Sequence, residues 1–409
     1  MLPARYRRVL RKGFDLYKTS GSIAAVFRYY YKYVARKSPI VSRIMVERLA
    51  ALVQRDKPAD SAESQIRVCV LAFGSGLGDE IVLARFLRDL RTACGDIVFD
   101  VMTYRPERSR WIMESVPGVD RVLSSFRFAA TRHRYPLAIS VGQVPMIHDD
   151  LVNLRAITRN SRLTQVVQKI RDFSNSEATA IAQLPYSIRS FGRLATRQRN
   201  GRRAFLHHIC GIGYGGDRLS LRVDISARRR FGLEGTTYVT LHNGFDPEFV
   251  ISAHRATKCY PHFAGVLQEI RRHLPDLVVV QLGAETSEPI PGVDVQLVRK
   301  TSLGQAAGLL AGASLHIDID SGLVHLAAAL GVASCVVFGP TDHEYLAYPR
   351  NENLAPPFCG NCWWSNESWM DQCPKGYGKA RCMDEQPPKR VAESVLRRLK
   401  GETKGHPSP

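Results

Sequence analysis

The sequence has no long hydrophobic run and no cleavable targeting segment. Nowhere in its 409 residues do about 18 uncharged apolar residues follow one another, so no membrane-spanning helix is expected. The basic N-terminus lacks an apolar core followed by a small-residue cleavage site, which argues against a secretory signal peptide. We therefore expect a cytoplasmic protein whose thiols stay reduced.

Acidic residues are scarce relative to basic ones. The chain has 38 Asp and Glu against 57 Lys and Arg, a formal net charge of +19. Residues 1–60 hold 14 basic and 4 acidic side chains, and residues 151–235 hold 16 and 5. Segregated charge points to an anionic partner such as a membrane surface, a phosphorylated substrate or nucleic acid, although an arginine-rich solvated surface would look the same. No zinc-finger helix or RRM signature is present, so we expect no nucleic-acid partner.

Residues 1–62 read as a basic helical extension with a linker. Residues 22–37 place aromatic side chains on one flank of a predicted helix and Arg or Lys on the other. Such a helix can lie on an anionic membrane, which would make the protein peripheral on the inner face of the inner membrane. It can equally pack on the rest of the chain or on another subunit. The polar stretch 54–64 is typical of a linker.

The remainder predicts an α/β protein with two doubly wound parallel sheets. Hydrophobic residues make up 44% of the chain, enough to bury more than one core. Strand and helix patterns alternate, as they do in parallel sheets covered by helices. Predicted strands occupy 66–73, 97–104, 135–142, 238–244, 277–285 and 333–340. We predict an N-terminal Rossmann-like domain at 63–235, a C-terminal one at 236–390, and a closing helix and tail at 391–409.

The stretch "HIDIDSGLVHLAAALG" (316–331) changes from a strand pattern to a helix pattern at Asp320, Ser321 and Gly322. Ligands of parallel sheets bind where strands end, and a helix N-terminus offers unpaired N–H groups and partial positive charge to a phosphate. Gly322 allows close approach, Asp320 or Ser321 can cap the helix, and His325 lies one turn further on. An ordinary capped turn is the alternative interpretation.

Three motifs in this region resemble glycosyltransferase family 9, the ADP-heptose:lipopolysaccharide heptosyltransferases. The family pattern is Asp-[Ser/Thr]-Gly-x-x-His, then Leu-x-Ala-Ala-Leu-Gly, then Phe/Tyr-Gly-Pro-Thr-Asp, and this chain has "DSGLVH" (320–325), "LAAALG" (326–331) and "FGPTD" (338–342). The resemblance implies a GT-B fold, in which two Rossmann-like domains face each other. It also implies an inverting reaction without a catalytic metal. It is weakest over 105–235, where the acceptor is expected to bind.

The resemblance also assigns roles to individual residues. "LAFGSGLGD" (71–79) resembles the family's first strand and loop, so Asp79 matches the catalytic base, although it can also be read as a helix cap. Gly76 and Gly78 would leave room for the acceptor; "GSGLG" lacks the spacing of a dinucleotide-binding loop. Lys258 matches the lysine that contacts the leaving phosphates, with a solvated surface lysine as the alternative.

Further donor-binding candidates lie at strand ends in the C-terminal half. Glu285 matches the residue that accepts hydrogen bonds from ribose, or is simply a loop carboxylate. Asp320 is expected to contact the sugar, and His325 the diphosphate or its own turn; Ser321 and Gly322 would offer backbone N–H groups. Thr240, His242 and Asn243 end a strand and can reach the same phosphates, although a plain buried histidine is an equal interpretation of His242.

Four cysteines cluster near the C-terminus, at Cys359, Cys362, Cys373 and Cys382 within segment 356–385. Four thiolates suit tetrahedral Zn or Fe, and some branches of the family that glycosylate autotransporter proteins carry a cysteine-bound iron near this position. The second pair lacks C-x-x-C spacing, so packed free thiols and disulfides stay open as alternatives. The predicted metal is structural, and no cofactor is expected for catalysis.

Together these patterns predict transfer of a heptose or related sugar from ADP-heptose or another nucleotide-sugar to an anionic glycan such as lipopolysaccharide core. A protein hydroxyl acceptor is a variant of the same reaction. A nucleic-acid-binding protein or a non-catalytic binding subunit are the alternatives of a different class.

Overall fold

The computed structural model describes residues 65–74, 76–184, 186–246, 255–366 and 368–401. The predicted N-terminal extension and its membrane contact lie outside these residues, as does the end of the tail. None of the helices within the described ranges is long and apolar enough to cross a membrane.

The first sheet has the strand order β3-β2-β1-β4-β5. Its strands are β1 (Ile66–Ala72), β2 (Ile97–Thr103), β3 (Val119–Ser124), β4 (Leu137–Val141) and β5 (Pro145–Ile147). The pairings β3-β2, β2-β1 and β1-β4 are parallel, and β5 runs antiparallel to β4. All seven residues of β1 are buried, which explains why its sequence is a continuous run of apolar residues interrupted only by Arg67.

Helices cover this sheet and continue into the basic segment. They are α1 (Leu77–Cys94), α2 (Pro106–Met113), α3 (Phe128–Thr131), α4 (Leu154–Ile157), α5 (Ser161–Ser174), α6 (Glu177–Gln183), α7 (Ile188–Arg197), α8 (Phe205–Cys210) and α9 (Ala227–Arg230). Turns of 3₁₀ helix lie at Ser125–Arg127, Arg132–Arg134 and Asp149–Leu151. In α5, Leu163, Val166, Val167 and Ile170 form the buried stripe expected of an amphipathic helix.

The second sheet is parallel throughout, in the order β11-β10-β9-β6-β7-β8. Its strands are β6 (Tyr238–Leu241), β7 (Val278–Gly283), β8 (Val295–Val298), β9 (Leu315–Ile319), β10 (Ser334–Val337) and β11 (Glu352–Leu354). Its helices are α10 (Phe263–Arg271), α11 (Leu303–Ala311), α12 (Gly322–Leu330), α13 (His343–Leu346), α14 (Arg381–Asp384) and α15 (Pro388–Leu399). The predicted pair of Rossmann-like α/β domains is therefore confirmed; the domain boundaries stay predictions.

Each sheet has one point where the strand order reverses direction. In the first sheet this point lies between β1 and β4, and in the second between β6 and β9. Open parallel sheets bind ligands at the carboxyl ends of the strands next to such a point. Residues 73–79 and Gly142 follow the two strands in the first sheet, and residues 242–246 and 320–322 follow those in the second.

Candidate active site

The N-termini of helices α1 and α12 meet where the two domains face each other. A Cβ on Gly78 would lie 2.5 Å from Cδ2 of His325, and a Cβ on Gly322 would lie 2.8 Å from Cβ of Leu77. Both distances are too short for any larger side chain, so these glycines let the two loops approach. Helix α12 is capped by Ser321, whose hydroxyl accepts a hydrogen bond from the Leu323 N–H at 3.1 Å.

Asp79 lies in the first turn of α1 and forms an ion pair with Arg202. Their Oδ1 and Nη2 atoms are 3.0 Å apart, and the side chain of Asp79 is 39% exposed whereas that of Arg202 is 5% exposed. Helix α1 begins after Gly76, and no side-chain capping bond is formed there within the described residues. The interpretation of Asp79 as only a helix cap is therefore not supported, because its carboxylate pairs with Arg202 instead.

His325 is buried in a polar network that joins the two domains. Its Nδ1 is 2.7 Å from the hydroxyl of Tyr348, and the same hydroxyl accepts a 2.6 Å hydrogen bond from Nη1 of Arg85. Arg85 belongs to α1, and its Nη2 also donates to the His325 carbonyl at 3.3 Å. Burial, and then the positive charges of Arg85, Arg202 and Lys258, lower the pKa of His325 to about 3. The imidazole is therefore neutral at physiological pH.

Lys258 lies beside the N-terminus of α12. Its Nζ donates to the carbonyl of Asp320 at 2.8 Å, which places the ammonium at the carboxyl end of β9. Burial raises the pKa of Asp320, while Lys258 and a hydrogen bond with Thr341 act in the opposite direction. The ammonium of Lys258, the carboxyl group of Asp320 and the unpaired backbone N–H groups in the first turn of α12 therefore lie together.

Asn243 positions the segment that carries Lys258. Its amide nitrogen donates to the Tyr260 carbonyl at 2.7 Å, and its oxygen accepts from the Tyr260 N–H at 2.9 Å. Asn243 was predicted to bind the donor directly, but in this structure its side chain holds the loop in place.

A buried chain of polar side chains lies beneath this site. Thr240 is fully buried with its hydroxyl 3.0 Å from Nδ1 of His316, and Nε2 of His316 is 3.0 Å from Asp318. Asp318 also contacts Nδ1 of His242 at 2.9 Å and the hydroxyl of Ser321. Burial alone would raise the pKa of Asp318, but the charges and hydrogen bonds of His242 and His316 lower it to about 2.

This chain corrects part of the sequence interpretation. Thr240 was expected to reach the phosphates, but its hydroxyl is used inside the protein. His316 and Asp318 were not predicted, although the alternation in "HIDID" places both on one face of β9, which was an available signal. His242 is buried and paired with Asp318, which agrees with the alternative interpretation given for it.

Glu285 follows β7 and is exposed, with its carbonyl accepting a 2.9 Å hydrogen bond from Arg299. Next to it, a partly open cavity of about 80 Å³ lies beside the Lys258 loop. Its lining combines polar and apolar surface: Phe245 and Tyr260 form aromatic walls, Thr286 supplies a hydroxyl, and Arg255 and Glu288 are charged. Aromatic walls with polar groups beside them can hold a small ligand.

The cysteine-rich segment folds back onto the "FGPTD" motif. The carboxylate of Asp342 accepts a hydrogen bond from the Asn361 amide at 2.7 Å, and the Cys362 N–H donates to the Pro340 carbonyl at 2.8 Å. Burial raises the pKa of Cys362 to about 11, with Cys373 and Cys359 adding to the effect.

All four clustered thiols are free. Burial, and then the nearby thiols of Cys359, Cys362 and Cys373, raise the pKa of Cys382. The disulfide alternative is thus not what the structure shows. Within the described ranges, however, no set of three or more His, Cys, Asp or Glu side chains is arranged to hold a metal ion. The structural metal stays a prediction.

Two facing Rossmann-like domains with a site between their strand ends define the GT-B class. The Escherichia coli ADP-heptose lps heptosyltransferase II has this fold, with a TM-score of 0.50 and 16% identity over 82% of this chain and 99% of that chain. The dodecameric iron-containing heptosyltransferase TibC of enterotoxigenic E. coli, solved with ADP-D-beta-D-heptose, gives a TM-score of 0.51 at 13% identity over 83% of this chain and 77% of that chain. At these identities the similarity shows the fold.

Residues 240–361 match the family model for glycosyltransferase family 9 (heptosyltransferase), which confirms the predicted resemblance to that family. Lipopolysaccharide heptosyltransferase 1 of E. coli strain K12 is 41% identical over 59 residues, which are 14% of this chain and 18% of that protein. The match therefore spans less than a fifth of this curated relative.

Proposed function

We propose that the protein is an inverting glycosyltransferase that moves a heptose or related sugar from ADP-heptose or another nucleotide-sugar to an anionic acceptor. One observation carries the proposal: the half-exposed carboxylate of Asp79 and the N-terminus of α12, with Lys258 and Asp320 beside it, face each other at the reversal points of the two sheets. The family match over 240–361 and the GT-B fold support the same activity.

In the proposed reaction Asp79 accepts the proton of the acceptor hydroxyl. The hydroxyl oxygen bonds to the anomeric carbon as the bond from that carbon to the diphosphate oxygen breaks, so the configuration inverts. A positioned carboxylate of this kind contributes roughly 10²–10⁴-fold to rate. The negative charge that develops on the diphosphate is stabilised by the N–H groups that open α12 and by Lys258, whose ammonium has two donors beyond the one used on Asp320.

The remaining donor contacts follow from position. We assign the nucleoside to the cavity beside Tyr260, with Glu285 accepting from the ribose hydroxyls and Asp320 contacting the sugar. His325 is neutral in the ligand-free protein, and we assign it a hydrogen-bonding role toward the diphosphate. No step of this reaction requires a metal ion.

The basic excess of residues 151–235 supports an anionic acceptor, for which lipopolysaccharide core is our first choice and a protein hydroxyl the second. Part of this charge is internal, however. Arg202 pairs with Asp79 and Arg203 with Asp217, so the segment presents fewer arginines to a ligand than its composition suggests.

The test is a transfer and hydrolysis screen of the purified protein against ADP-, UDP- and GDP-sugars, with Asp79→Asn and Lys258→Met. We expect each substitution to lower kcat by roughly 100-fold or more, because each removes one group used in the transition state. Asp294→Asn is the matched control, since Asp294 also pairs with an arginine, Arg271, but lies away from the site. Wild-type turnover in both site variants would contradict the assigned roles.

A further inference from the structure

Arg202 comes from the connector between the two sheets, and its backbone is attached to the C-terminal domain. Its N–H donates to the Tyr345 carbonyl at 2.7 Å, and a Cβ on the preceding Gly201 would lie 3.2 Å from the same oxygen. Tyr345 is fully buried, and its ring stacks on Trp363 at a centroid distance of 6.2 Å. The attachment point is therefore held by apolar packing.

The side chain of Arg202 reaches back to the N-terminal domain. Its Nη2 donates to Oδ1 of Asp79 at 3.0 Å and to the carbonyl of Gly142 at 3.2 Å. Asp79 follows β1 and Gly142 follows β4, so one guanidinium nitrogen joins the two strand ends that flank the reversal point of the first sheet. Nη1 is buried and has no partner among the residues that the structure describes.

This contact fixes which oxygen of Asp79 is available. Oδ1 is engaged by Arg202, whereas Oδ2 faces Gly74 and Gly76, 3.0 and 3.4 Å from where a Cβ on each glycine would be. Neither glycine has a side chain to cover Oδ2, and the Asp79 side chain is 39% exposed. Among the residues that the structure describes, only Oδ1 of this carboxylate has a hydrogen-bond partner.

We propose that Arg202 is a positioning residue that orients Asp79 toward the acceptor and makes this orientation depend on contact between the two domains. The inference rests on the proposed function, because it assigns a role to Asp79 in that reaction. A buried guanidinium requires its ion-pair partner, so the pair is retained as long as Arg202 stays buried. If the Tyr345 loop withdraws, the backbone of Arg202 loses its anchor and the carboxylate is no longer held. Proton acceptance is thereby limited to the closed arrangement of the domains.

The experiment compares Arg202→Met, Arg202→Lys and the control Arg203→Met. Arg203 is the neighbouring arginine and forms its ion pair with Asp217, outside the proposed machinery. For Arg202→Met we expect kcat to fall roughly 10- to 100-fold, as for a small misplacement of a catalytic group, with the KM for the donor within about threefold of wild type. Arg202→Lys should recover part of kcat, and Arg203→Met should stay within about threefold.

Unchanged kcat in Arg202→Met, or a rise in KM with kcat unchanged, would overturn the proposal. If the wild-type protein transfers no sugar from any tested donor, the proposed function fails by itself, and thermal unfolding decides whether the contact exists. In a double-mutant cycle of Asp79→Asn and Arg202→Met, the combined loss in Tm should be smaller than the sum of the single losses by about 2 °C. Additive losses would rule out the Asp79–Arg202 coupling.

Discussion

His325 should make the stability of the protein decrease in mild acid. In the folded state it is buried next to Tyr348, and burial together with Arg85, Arg202 and Lys258 lowers its pKa from 6.5 to about 3. An unfolded chain has no such environment, so its histidine binds a proton below pH 6.5. Between pH 6.5 and 3 the unfolded state therefore holds a proton that the folded state does not.

The sign and size follow from proton linkage. Above pH 6.5 the histidine is neutral in both states and does not change the free energy of unfolding. Below pH 6.5 the free energy of unfolding falls by about 1.4 kcal/mol for each pH unit, because only the unfolded state binds the proton. At pH 5 the loss from this one residue is about 2 kcal/mol. It continues to grow until the pH approaches 3.

The assay is urea unfolding of wild type and His325→Gln at pH 7.5 and pH 5.0. Glutamine keeps a polar group near the Tyr348 hydroxyl but does not titrate, so the variant should lose about 2 kcal/mol less than wild type over this interval. His273→Gln is the control, because His273 is exposed and its removal should leave the wild-type dependence intact. Equal losses in wild type and His325→Gln would refute the assignment of a buried neutral imidazole.

Two further predictions concern the loop contact and the cysteines. Gly78→Ala should destabilise the protein by roughly 1–3 kcal/mol in thermal unfolding, because its Cβ would lie 2.5 Å from the buried ring of His325. Gly213→Ala is the control, because a Cβ at Gly213 meets nothing within 4 Å and should not destabilise the protein. Equal effects of the two substitutions would contradict the close approach of Gly78 to His325. Elemental analysis of the purified protein should find about one equivalent of Zn or Fe that Cys359→Ser abolishes. If no metal is bound and the buried thiols react with a thiol reagent only after unfolding, packed free thiols are the correct interpretation.

Much of the fold could be predicted from the sequence because its signals are local. The apolar run that forms β1 and the amphipathic repeat that forms α1 each depend on near neighbours in the chain. The short strands β3, β8 and β11 were missed, since each has partly exposed residues and a weak alternation. Helix α10 begins at Phe263, two residues after Pro261.

Part of the site could be predicted for the same reason. The change from strand to helix at Asp320 is encoded within a few residues, and Ser321 caps the helix as the pattern allows. The resemblance to glycosyltransferase family 9 also indicated Lys258 and Asp79 as site residues. It did not distinguish residues that face a ligand from residues that support the site, so Thr240 and Asn243 were assigned to the donor although their side chains bond to the protein.

The sequence by itself predicted two largely parallel sheets, the helix N-terminus after Asp320, and Asp79 as the candidate proton acceptor. Only the tertiary structure decided which side chains act together across the domains. Arg202 is 123 positions from Asp79, and Arg85 is 263 positions from Tyr348. No local period links residues so far apart, because their contact depends on how the connector and both sheets pack, and burial then fixes the ionisation state of His325.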